Sequence, residues 1–114
     1  MGALKNLISR LDALVSQIVR KNRCKRCASW ASEPAHVFGR KNLSVRWDFD
    51  NVIPLCRRCH GWAHGHEEKF KEFVRMIFGD ERYDKLVLKA NSVKIWTEGE
   101  LLQLEQDLKC ILAR

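Results

Sequence analysis

Two Cys-x-x-Cys pairs, Cys24-Lys25-Arg26-Cys27 and Cys56-Arg57-Arg58-Cys59, constrain this chain more than any other feature. One such turn brings two thiolates to a single ion from a compact loop. Two turns complete the tetrahedral shell that Zn²⁺ prefers and leave no open position, which makes a site for folding rather than for chemistry. Cys24, Cys27, Cys56 and Cys59 are therefore expected to hold one structural Zn²⁺, with an iron–sulfur cluster as the alternative occupant. The 28 residues between Cys27 and Cys56 exceed the gap of a simple zinc ribbon, so an insertion of loop and strand should lie there. The fifth cysteine, Cys110, sits in a helical stretch and reads as a small buried residue.

Reading cysteines as ligands presumes that thiols stay reduced. The first 23 residues scatter charge through their apolar positions and lack the unbroken apolar centre of a signal peptide. No run approaches the ~20 apolar residues of a membrane span. The expectation is a cytoplasmic protein. At 114 residues, 46% of them hydrophobic, the chain has material for a single domain spanning 1–114 with one modest core, and it is not a disordered segment.

The net charge of +7 is unevenly placed. Residues 1–66 carry 12 Lys/Arg against 4 Asp/Glu; residues 67–114 carry 9 against 10. The half with the cysteines and histidines is the basic half, the asymmetry of a polyanion-binding face.

Leu4, Leu7, Ile8, Leu11, Leu14, Val15, Ile18 and Val19 recur at helical spacing and predict an amphipathic helix over roughly 3–22. With fewer than three heptads, its stripe should pack internally rather than form a coiled-coil dimer. Residues 24–35 predict a cysteine knuckle and loop, His36-Val37-Phe38 a short strand, and Gly39 to Ser44 a turn. A second strand is expected at Val52-Ile53, with Pro54 at an edge or just beyond. A helix should start near Cys56–Arg58, carry His60 and His64, and end around Gly65. Phe70, Phe73, Val74 and Ile77 mark the next helix, stopped by Gly79. Asp80 is a candidate N-cap for another, with Tyr83, Leu86 and Val87 on its buried face. Thr97 and Glu100 form a capping box for the last, with Trp96 and Leu101 as a hydrophobic staple. Trp30, Trp47 and Trp62 read as core or loop packing residues, with base-stacking platforms as the alternative. The fold class is α+β, mainly helical, with a zinc-held strand–strand–helix core (24–66) between an N-terminal helix and C-terminal helices (67–114).

His60 and His64 lie one turn apart on one helical face, where two imidazoles can hold one divalent ion such as Mg²⁺ or Mn²⁺. His36 should face that ion from the strand opposite, as a neutral imidazole able to take a proton from water. Asn51 can tie down the loop that holds His36 or lend an oxygen to the metal. These parts suit phosphodiester hydrolysis, with the ion neutralising charge that grows on the phosphate and the leaving 3′ oxygen. Arg40, Lys41, Arg46, Arg57 and Arg58 are candidate phosphate contacts.

The order His36, Asn51, His60, with a Cys-x-x-Cys pair on either side, resembles the HNH endonuclease family, the ββα-metal nucleases related to treble-clef zinc folds. The intervals of 15, nine and four residues through His36, Asn51, His60 and His64 are similar to those of colicin-type nuclease toxins. Ala35 to Arg40, Arg46-Trp47-Asp48 and Asn51 with Cys56 to His60 look closest to small phage-encoded members, including recombination nucleases. The resemblance spans residues 20–78. It implies His36 as general base, Asn51 as an orienting or metal-side residue, and His60 and His64 as metal ligands. Many members carry Asp or His just before the base as a further ligand. This chain has Ala35, leaving Glu33, Asn51, His66 or water for that role. The expectation is a metal-dependent DNA endonuclease; the alternatives are a zinc-stabilised DNA-binding module without activity, and a protein that binds partners through its N-terminal stripe. A homodimer would suit double-strand cutting.

Overall fold

The computed structural model describes residues 2–30 and 32–114; Met1 and Ala31 lie outside the described residues. The chain runs α1 (Gly2–Val19), β1 (Ser32–His36), β2 (Val52–Cys56), α2 (Arg57–Gly65), α3 (Glu67–Phe78), α4 (Asp80–Ala90) and α5 (Glu98–Ala113). The fold is mainly helical α+β, with an antiparallel hairpin leading into a helix and four cysteines at their junction.

The hairpin organises everything else. Its register pairs Ser32 with Cys56, Pro34 with Pro54 and His36 with Val52. The two prolines face each other, so neither strand presents an N–H there that lacks a ladder partner. The outward carbonyl of Pro54 accepts the N–H of Lys25 at 2.8 Å and anchors the first cysteine knuckle on β2. Alternate residues of β2 point to opposite faces. Ile53 and Leu55 join the cluster built with Phe70, Val74, Tyr83 and Leu86 of α3 and α4. Val52 joins the second cluster, with Leu7, Leu11 and Val15 of α1 and Leu101 and Leu108 of α5. The two-stranded sheet thus lies between two helical layers.

The strand expected at His36–Phe38 lies instead at Ser32–His36, and the second strand runs on through Pro54 to Cys56. The displacement has a local cause. Phe38 gives its N–H to the Asn51 side-chain oxygen at 2.7 Å and takes the Asn51 amide at 3.0 Å, so a side chain replaces the next rung of the ladder. α1 stops at Val19, short of the predicted 22, and three turn bonds plus the Asn22 side chain on the Ile18 carbonyl close its end. Its stripe packs internally on α5, as the heptad count suggested. At the α3–α4 junction Gly79 has φ +87°, a conformation that side chains rarely tolerate. Gly79 itself precedes α4, and Asp80 is its first residue without capping it. The capping box at α5 is complete: Thr97 Oγ1 accepts from Glu100 N at 3.1 Å and Glu100 Oε1 from Thr97 N at 3.0 Å. Cys110 is exposed, not buried, because it falls on the outer face of α5. Among the described residues, no helix is long and apolar enough to cross a membrane.

Candidate metal centre and histidine cavity

Cys24 and Cys27 sit on the knuckle after α1, Cys56 ends β2, and Cys59 lies in the first turn of α2. Their four sulfurs all fall within 4.8 Å of one another, and Cys27 and Cys56 are 3.6 Å apart. Thiolates about 2.3 Å from one tetrahedral ion lie about 3.8 Å from each other, whereas a disulfide needs about 2.05 Å. The four cysteines are therefore placed to bind a structural metal such as Zn²⁺. Cys56 also caps α2, accepting the N–H of Cys59 at 3.5 Å, so the residue that would hold the ion also starts the helix. Burial opposes ionisation of Cys24, but the N–H groups of Cys56, Cys27 and Arg26 outweigh it and bring that thiol down to about 6. Cys59, buried and crowded by the other sulfurs, is pushed up to about 11 despite Arg26. Four clustered thiols do not all ionise unaided; a divalent cation among them removes that conflict. Two arginines already share the charge. Arg26 Nη1 lies 3.6 Å from Cys59 Sγ, and the Arg58 guanidinium hydrogen-bonds the Cys27 sulfur.

On the other side of α2, His36, His60 and His64 line one cavity of about 300 Å³, walled also by Phe38, Phe70 and Lys71. His36 Nε2 lies 3.1 Å from the Arg46 carbonyl. A carbonyl only accepts, so Nε2 carries the proton and Nδ1 keeps a lone pair. Burial first, then the positive charge of Arg40, hold this imidazole below the ordinary histidine value, against the upward pull of the Arg46 carbonyl and Asp12. His36 is therefore neutral at neutral pH.

His60 is oriented in the same way. Its Nδ1 donates to Glu33 Oε1 at 2.7 Å, which leaves Nε2 as the lone-pair nitrogen. That nitrogen faces His64 Nε2 at 3.1 Å, with the rings stacked at 29°. Two lone pairs do not face each other at this distance unless a proton or a cation lies between them. Ligand nitrogens about 2.1 Å from one ion lie about 3.0 to 3.4 Å apart in octahedral or tetrahedral geometry, so the pair fits a shared divalent metal. A carboxylate on the far nitrogen of a ligating histidine is the usual orienting partner.

Of the candidates for a further ligand, Asn51 is fully buried and spends its whole amide on Phe38. It clamps the loop and is not among the residues that line the cavity. His66 gives Nδ1–H to the Trp62 carbonyl at 3.0 Å and stacks on that indole, turned to the α2–α3 junction. Glu33 lies behind His60, and Ala35 offers no ligand atom. Among the described residues, only the cysteine cluster brings three or more metal-ligating groups together; the histidine site offers two.

The basic residues divide. Arg40, Lys41 and Arg57 are exposed, and Arg40 acts on His36 through space. Arg58 leans on the cysteine cluster. Arg46 is engaged elsewhere: its guanidinium makes two bonds to Asp12, at 3.1 and 2.7 Å, and one to the Arg40 carbonyl, which fixes the carbonyl-bearing segment against α1. Lys71, over the Phe38 ring at 5.3 Å, lines the cavity; nothing in the sequence marked it, because only the packing of α3 brings it there. Glu33 was named as a candidate ligand and is found instead on His60 Nδ1; no local signal marked Asp12. Among the described residues, five of the nine cations after His66 pair with carboxylates (Arg75, Arg82, Lys85, Lys89 and Lys94), against two of the twelve before it (Arg10 and Arg46). Compared with known proteins, the chain matches no family model, no curated protein and no solved structure.

Proposed function

We propose that the chain is a metal-dependent DNA endonuclease of the HNH type, in which His36 activates water for attack on a phosphodiester. The observation that carries this reading is the shared cavity. A neutral imidazole with its Nδ1 lone pair free borders the same space as two imidazoles whose nitrogens sit 3.1 Å apart. His36 takes the proton from water, and the Arg46 carbonyl stabilises the imidazolium that forms. His60 and His64 would hold the divalent ion, and Glu33 fixes the His60 tautomer that ligation needs. When bound there, a divalent ion such as Mg²⁺ or Mn²⁺ supplies neutralisation of charge on the phosphate and the leaving oxygen. Asn51 keeps the His36 loop in register through Phe38. Cys24, Cys27, Cys56 and Cys59 would hold a structural Zn²⁺, which would tie down the start of α2 and with it His60.

DNA is the substrate class because the unpaired cations gather on the half of the chain that builds this site. Lys71 lines the cavity, Arg40 and Lys41 directly follow Gly39, which also lines it, and Arg57 stands at the start of α2, about 10 Å along the helix from His64. Zinc-loaded protein with added Mg²⁺, Mn²⁺ or Ni²⁺ should nick or cut plasmid DNA, and His36→Ala should abolish cutting while retaining DNA binding. Binding without cleavage under every ion would instead make the chain a zinc-stabilised DNA-binding module. The two-histidine shell is the observation that favours this second reading.

A further inference from the structure

Trp30 closes the first cysteine knuckle, and the fold leaves it in solvent, 60% exposed against 5% for Trp47. Trp47 gives its indole N–H to Asp12 and meets Trp96 edge-on. Trp62 is packed edge-on against Phe70 and Phe73. Trp30, like Trp62 with Arg26 at 3.8 Å, carries a guanidinium on its ring, that of Arg23 at 4.2 Å from the centroid, and Arg23 is tethered to the Ala28 carbonyl at 3.1 Å. An indole left in water forgoes most of the stabilisation that burial provides, and one cation–π contact recovers only part of it. With a guanidinium over one face, the remaining exposure belongs largely to the other face and the ring edge.

The pair is held on a fixed frame. Cys24 N–H bonds the Ser29 carbonyl at 2.7 Å, Ala28 N–H bonds the Cys24 carbonyl at 2.8 Å, and Ala28 adopts φ +65° to close the turn. The chain leading into the ring carries charge of one sign. No carboxylate occurs between Asp12 and Glu33, a stretch that holds Arg20, Lys21, Arg23, Lys25 and Arg26. A flat aromatic face that follows a run of cations suits a base together with its phosphates. An apolar peptide would use the ring but not the charge.

We propose that Arg23 and Trp30 form a stacking platform for an unpaired nucleobase, so that the chain binds DNA interrupted by single-stranded residues in preference to continuous duplex. This rests on the reading of the chain as a DNA-binding nuclease. Within a duplex both faces of each base are covered by neighbours, so only an unstacked base can lie on a protein ring. The platform is close to the cavity. Trp30 and His36 are six residues apart, which a chain spans with at most about 20 Å, or about six nucleotides at about 3.4 Å each.

The test is equilibrium binding of zinc-loaded protein, at low salt and without added Mg²⁺ or Mn²⁺. The probes are a continuous duplex and the same duplex carrying a short single-stranded gap. Wild type should bind the gapped probe about tenfold more tightly. Trp30→Leu, which keeps apolar bulk but no aromatic face, should lose that preference while holding its affinity for the continuous probe, and Trp30→Phe should retain part of it. Zinc content and far-UV circular dichroism establish that each variant is folded. If Trp30→Leu fails to fold, Trp30→Met carries the same comparison. Equal binding of both probes by wild type, or a preference that survives in Trp30→Leu, overturns the platform and leaves the nuclease reading standing. A loss that is equal for both probes also overturns it. If wild type binds neither probe, both readings fail.

Discussion

At His36 one backbone carbonyl decides which ring nitrogen is free, and at His60 one carboxylate does the same. Both partners come from elsewhere in the chain, so the tautomers depend on the loops staying in place. Asn51 is the residue that secures this for His36. Its amide occupies both backbone groups of Phe38, and truncation would strand them beside a buried hole. Asn51→Ala should therefore destabilise the protein by roughly 1–3 kcal/mol per stranded group, read by chemical denaturation. It should also lower cleavage more than DNA binding, because the base is displaced while the cations are not. Glu33→Gln should shift the Mn²⁺ activation curve to higher concentration by about tenfold or more, the usual effect of losing a carboxylate behind a metal-bound histidine. An unchanged curve would mean that His60 does not depend on Glu33 for its orientation. Single residues were also where sequence reading reached least far. Asn51 was legible as a clamp or a ligand, and only the two bonds to Phe38 separate those roles. Arg46 looked like a phosphate contact, but the side chain that engages it, Asp12, is 34 residues away on α1.

The elements follow local signals wherever those signals are strong. The capping box of Thr97 and Glu100, the stop at Gly79 and the start of α2 at the second cysteine pair could all be read from neighbouring residues. β1 could not. Glu33 and Pro34 are poor strand formers, and Val37-Phe38 look better; pairing with β2, not propensity, places the strand at Ser32–His36. The α1 stripe was legible as an apolar face, but its partner was not, because α5 lies at the other end of the chain. Leu11 is fully buried between these two helices. Leu11→Ala should cost about 2–5 kcal/mol, as core truncations do, measured by denaturation. It should leave zinc stoichiometry unchanged, since Cys24, Cys56 and Cys59 belong to the cluster of α3 and α4 and Leu11 to the other. Zinc loss in that variant would mean that the two layers do not separate in this way.

For the molecule as a whole, the cysteine cluster joins the knuckle, the end of the hairpin and the start of α2 at one point. Removing the ion, by chelation or by Cys59→Ser, should lower the thermal midpoint and loosen α2 together with the hairpin. Because binding to the folded state alone is stabilising, the midpoint should rise again with added Zn²⁺. Charge sets the second whole-molecule property. Five of the nine cations after His66 are paired with carboxylates, two of these being Asp48 and Asp50 of the loop before β2, whereas most of those around the knuckle, hairpin and α2 are not. Affinity for DNA should fall steeply with salt.

The central claim is that a neutral His36 removes the proton from the attacking water, and a pH–rate profile tests it most directly. Single-turnover cleavage by zinc-loaded protein with saturating Mn²⁺ should be flat near neutral pH and fall on acidification. Because burial and Arg40 hold the imidazole below the ordinary value of 6.5, the midpoint of the fall should lie below that pH. His36→Ala should show neither the rate nor the limb. A rate indifferent to pH through that range, or a His36→Ala variant that cleaves as fast as wild type, would contradict the account.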